Sequence, residues 1–128
     1  MMIMKYLLEL EKVCPMDVAA PASQASMELI SNRFPTLPKA VLDLYKISNG
    51  IEINIPGTII YSADELLEYN STADSNSEMI NIGRMSFGDE LWVDAKGIVV
   101  QVDFDTREEY LTWPTFEDFL GEELKNAS

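Results

Sequence analysis

The stretch Val41-Leu42-Asp43-Leu44-Tyr45-Lys46-Ile47-Ser48-Asn49-Gly50-Ile51-Glu52-Ile53-Asn54-Ile55 changes its hydrophobic period partway along. Together with Leu37, the residues Val41, Leu44 and Tyr45 recur at i, i+4, i+7 and i+8, which is one face of an α-helix. Pro38 suits the first turn of that helix, where its missing N–H has no partner to lose. Asn49 and Gly50 tolerate the left-handed backbone of a C-terminal cap. Past Gly50, Ile51, Ile53 and Ile55 alternate with Glu52 and Asn54, the pattern of a half-buried strand. Helix hands over to sheet at residue 50, and the rest of the chain reads outward from that point.

Upstream lie two more helical patterns. Residues 2–12 place Ile3, Leu7, Leu8 and Leu10 on an apolar side. Residues 15–21 read as a connection between prolines. A helix then starts near Ser23 or Ser26, serine being a good N-cap, and buries Met27, Ile30 and Phe34 before Pro35 stops it. Downstream the chain reads mainly as sheet. Pro56-Gly57 turns into a hairpin partner at 58–61, and Ser62-Ala63-Asp64-Glu65 matches a capping box opening a short helix through Tyr69. Residues 70–77 form a polar surface loop. Strands follow at 78–84, from Leu91 to Val93, at 98–103 and at 110–113, and Pro114-Thr115 starts a last helix carrying Phe116, Phe119, Leu120 and Leu124 on one side. Helices, an antiparallel sheet of about six strands with one inserted helix, and a C-terminal helix packing on the sheet make an α+β fold.

A chain of 128 residues, 47% of them hydrophobic, fits one domain over 1–128 with a real core. No apolar run approaches the ~20 residues that span a bilayer. The hydrophobic start is broken by Lys5, Glu9 and Glu11, with no small-residue cleavage site after it, so a soluble cytoplasmic protein is expected. The one cysteine, Cys14, rules out an internal disulfide, and the absence of histidine removes Ser-His-Asp and Cys-His catalysis and the usual zinc sites. No cofactor or metal is expected. The acids Asp103, Asp105, Glu108 and Glu109, with Asp89-Glu90 and Asp94 nearby, are residue types that serve general acid–base or metal chemistry. A polar hairpin turn accounts for Asp103 to Arg107 more simply.

The net charge of −13 comes from 22 acids against 9 bases. Residues 1–46 hold five of each and cancel; residues 47–128 hold the other 22 − 5 = 17 acids and 9 − 5 = 4 bases, hence the whole charge. Such a field repels nucleic acid and anionic membrane and favours a basic partner. Charge confined to one part of the chain suggests a recognition face.

Three segments carry a family resemblance: Leu37-Pro38 through Leu44-Tyr45 to Ser48-Asn49-Gly50; Ile82-Gly83-Arg84 with Phe87-Gly88-Asp89; and Trp113 with Phe116-Glu117-Asp118-Phe119-Leu120. In order and spacing, over residues 23–124, they resemble the SUKH superfamily, specifically the branch with the fungal cell-wall-assembly regulators. The resemblance implies an α+β fold. For bacterial members it implies an immunity protein that neutralises a toxin, commonly a nuclease; for fungal members, a regulatory interaction module. It implies no catalysis. The segment before residue 23 has no match in it, and the loop at 70–77 is particular to this chain. On this reading the partner is a basic, nuclease-like protein toxin, met by a sheet face carrying Asp89, Glu90, Asp94, Asp103 and Asp105. Trp92 and Tyr110 are anchors where their side chains face outward; alternation alone leaves the direction of Trp92 open.

Overall fold

The computed structural model describes residues 2–13, 16–53, 57–71, 79–85 and 88–127. Cys14, the turn at Pro56, Phe87 and most of the loop at 70–77 lie outside these described residues, as do the side chains of Met2, Tyr110 and Ala127.

The chain runs α1 (Met2–Val13), β1 (Met16–Val18), α2 (Gln24–Arg33), α3 (Lys39–Ile47), β2 (Ile51–Ile53), β3 (Thr58–Ile60), α4 (Ala63–Tyr69), β4 (Ile80–Met85), β5 (Glu90–Val93), β6 (Val99–Val102), β7 (Glu109–Trp113) and α5 (Phe116–Ala127). The strands form a seven-stranded sheet in strict chain order, each antiparallel to the next. The fold is α+β, as expected from the segregated elements. The sheet has one strand more than the sequence predicts. Residues 16–18, expected to be connection, form β1, with Met16 opposite Ile53 and Val18 opposite Ile51. Three residues are too few to display a period, so only the tertiary partner reveals the strand.

One apolar cluster joins all five helices to the inner face of the sheet. It includes Ile3, Leu7 and Leu10 of α1, Ile30 of α2, Val41, Leu44 and Tyr45 of α3, Leu66 of α4, and Phe116, Phe119 and Leu120 of α5. Leu8, expected on the apolar side of α1, is instead 51% exposed. Helix α5 lies against α1, where Tyr6 meets Gly121, and against β7, where Trp113 meets Phe119 edge-on with ring centroids 5.0 Å apart. Among the described residues no helix is long and apolar enough to cross a membrane.

Local chemistry explains the element ends. Ser23 caps α2 by accepting from the Ser26 amide at 3.1 Å. Ser62 and Glu65 form the reciprocal capping box read from sequence, at 3.2 and 3.1 Å. Pro38 sits one position earlier than expected, as the N-cap of α3. At the other end of α3 the Ser48-Asn49-Gly50 corner does more than end a helix. Ser48 accepts from the Ala19 amide at 2.9 Å through its hydroxyl, which donates to the Gly50 carbonyl. Asn49 Oδ1 accepts from the Ala63 amide at 2.8 Å, so it caps the start of α4 and leaves α3 to Ser48. Gly50 has φ +88°, and a Cβ there would stand 2.8 Å from the Ile60 carbonyl oxygen and the Ser62 nitrogen. The corner ties β1, α3, β3 and α4 together.

Candidate functional site

Burial along β5 alternates: Leu91 and Val93 are buried, Glu90 and Trp92 are half-buried. Leu91 and Val93 belong to the apolar cluster, so Glu90 and Trp92 lie on the opposite face of the sheet. That settles the direction of Trp92. It stands between Asn81 of β4 and Val100 of β6, on the face opposite the apolar cluster. Its indole Nε1 is buried and has no hydrogen-bond partner among the described residues. With Met79, Val102, Arg107 and Glu109 it lines a shallow cleft of about 260 Å³.

The predicted acids divide into three kinds. Asp89 is only 5% exposed, and its carboxylate works inside the fold. Oδ2 accepts from Gln101 Nε2 at 3.0 Å and Oδ1 from the Phe104 amide at 3.2 Å. Asp94 Oδ1 accepts from the amides of Lys96 and Ile98 at 2.8 and 3.0 Å, closing the β5–β6 turn. Asp103 Oδ1 accepts from the amides of Asp105 and Thr106, both at 2.9 Å, and shapes the turn before β7. These three carboxylates serve bonds within the fold first.

Glu90 is different again. Its Oε1 pairs with Arg107 Nη1 at 2.5 Å, and its Oε2 accepts from Asn81 Nδ2 at 3.2 Å. Arg107 takes the left-handed conformation, φ +63°, where the hairpin returns toward β7. Asp105, Glu108 and Glu109 are exposed, and among the described residues their carboxylates make no hydrogen bond or ion pair. The outward acidic surface is therefore built from Asp105, Glu108 and Glu109, bordered by the Glu90–Arg107 pair and Trp92. The sequence marks Glu108 and Glu109 as part of the acidic constellation, yet its expected contact set omits them. The side chain of Tyr110 lies outside the described residues.

A second depression, of about 310 Å³, lies over the Asn49-Gly50 corner and gathers Asp17, Glu52, Glu65 and Arg84. Glu52 could be read as outward from its place between Ile51 and Ile53; Asp17 could not, because β1 was not legible. On the same outer side, Tyr61 stacks on Tyr69 with centroids 4.5 Å apart. Burial raises the Tyr61 phenol above its ordinary range, with Arg84 pulling the other way.

One further titratable group sits inside. Glu123 of α5 is 2% exposed, and burial pushes its carboxyl up to about 7, with the Thr58 hydroxyl partly offsetting this and Glu122 adding to it. Among the described residues no three carboxylate or sulfur groups converge as metal ligands would. No protein-family model matches the chain, and no curated protein matches it.

Proposed function

We propose that this chain is an immunity protein of the SUKH type, which binds a cognate protein toxin and neutralises it in the cytoplasm. The observation that carries the reading is the outward acidic surface of Asp105, Glu108 and Glu109 beside Trp92 and the Glu90–Arg107 pair. The three-segment resemblance supports it independently. A nuclease presents a basic groove to hold phosphates. Exposed acids spaced along a rigid hairpin match that groove in charge, and occupying it excludes the substrate. The charges speed encounter and select the partner, while slow release needs an apolar anchor. The half-buried indole of Trp92 suits that role. The contact set is accordingly Glu90, Trp92, Asp105, Glu108 and Glu109, with Tyr110 beside them in β7; Asp89, Asp94 and Asp103 hold the surface in shape. On this reading the chain does no chemistry of its own.

Co-expression with the toxin domain encoded beside it is the test. Survival together with a stable complex is the expected result. No protection, or protection without any complex, sinks the proposal.

A further inference from the structure

Strand β7 ends the sheet. On one side it pairs with β6, and on the other no strand pairs with it among the described residues. Leu111 and Thr112 are neighbours in the strand and so point to opposite faces, yet both are exposed, Leu111 by 48%. Helix α5 reaches β7 at Trp113, and neither face is covered at Leu111 and Thr112. Phe104, in the preceding turn, is 60% exposed. The other edge is unlike this one. Strand β1 is three residues long, and the chain just after it is tied down by bonds from the Ala19 amide to Ser48 and from the Asn49 amide to the Ala20 carbonyl.

Open edges template unwanted pairing, and proteins guard them with charge. Here the guard is mainly acidic: Asp105, Glu108 and Glu109 border β7, and the base among them, Arg107, is paired with Glu90. A second copy of this chain carries the same net charge of −13, which opposes its approach as a whole. A basic extended segment meets no such penalty, and its apolar residues would cover Leu111.

We infer that β7 is a strand acceptor. An extended, lysine- or arginine-rich segment of the partner adds beside it, bonding through the backbone to its free side and setting a basic side chain against Glu109. The inference rests on the proposed basic protein partner and adds where and how it docks.

The probe is the peptide Lys-Val-Lys-Val-Lys-Val-Lys, compared with Lys-Pro-Lys-Pro-Lys-Pro-Lys, which has the same charge but cannot form a strand ladder. Both are titrated into the isotope-labelled full chain, following amide shifts and hydrogen exchange. The valine peptide is expected to slow exchange at β7 and to bind about tenfold or more tightly than the proline peptide. The double change Glu109→Lys with Leu111→Lys, at two exposed positions, is expected to abolish that difference. Equal binding of the two peptides, protection mapping away from β7, or no binding at millimolar peptide overturns the inference. Co-expression separates it from the wider reading. A toxin complex that survives the double change overturns edge docking alone, whereas failure of the native chain to form any complex overturns the immunity role.

Discussion

The Ser48-Asn49-Gly50 corner and the hairpin from Asp103 to Glu109 are both polar turns next to the sheet, and they spend their polar groups in opposite ways. At the corner the polar side chains face inward. Ser48 is fully buried, Asn49 caps a helix that starts 14 residues later, and Gly50 leaves no room for a side chain. At the hairpin Asp103 and the Thr106 hydroxyl serve the backbone, and three neighbouring carboxylates stay in solvent. A turn whose polar groups are all satisfied internally holds the scaffold; one that leaves charge unpaired on a stiff support is suited to recognition.

That contrast breaks most visibly at Gly50. Replacing it by valine combines a positive φ with a Cβ pressed on backbone, and Gly50→Val should lower stability by about 3 kcal/mol in urea denaturation. A loss no greater than that of an exposed-surface change would show that the corner is not a structural hub.

An effect of similar size and opposite sign is expected inside the molecule at Glu123. Its carboxyl titrates at about 7 when folded against 4.5 ordinarily. Below pH 4.5 both states are protonated and the group is neutral to stability. Between those values the folded state holds a proton that the unfolded state releases, so stability falls as pH rises, and the full cost is present above 7. Glu123→Gln should therefore stabilise the protein at about pH 8, by on the order of 3 kcal/mol from the size of the shift, and the gain should vanish near pH 4. A gain independent of pH would contradict the assignment to this carboxyl.

Around the hairpin the structural and the free acids should separate. Asp89→Ala removes the carboxylate that accepts from the Gln101 side-chain amide and the Phe104 N–H and should cost about 2 kcal/mol. Smallest of all, Asp105→Asn, Glu108→Gln and Glu109→Gln should each change stability by less than about 0.5 kcal/mol. The three together should slow association with a basic partner and flatten its salt dependence. If the triple change destabilises the fold as much as Asp89→Ala, the distinction between structural and free acids fails.

Much of this architecture was legible because hydrophobic period is a local property. The α3 face, the Ser62–Glu65 capping box and the alternation of Leu91 and Val93 each lie within a few consecutive residues. What was not legible depends on partners distant in sequence. Strand β1 exists because Ile51 and Ile53 offer it a ladder, and Asn49 caps α4 only because the chain returns there. The site suffered the same limit. Asp89, Asp94, Asp103 and Asp105 are identical in composition, and only the amides around each one decide whether its carboxylate is spoken for. Trp92 was ambiguous between two faces until its neighbours Leu91 and Val93 were seen to enter the core.

The chain-order sheet also has a consequence for how the molecule assembles. From β2 to β7 each strand finds its mate nearby in sequence, with α4 and the segment after it the main detour, so these ladders close over short loops and form early. The β1–β2 ladder encloses both α2 and α3 and has the longest closure to make. In pulse-labelling hydrogen exchange the amides of β1 should gain protection last, and in native-state exchange they should open first, unzipping the sheet from the edge opposite β7.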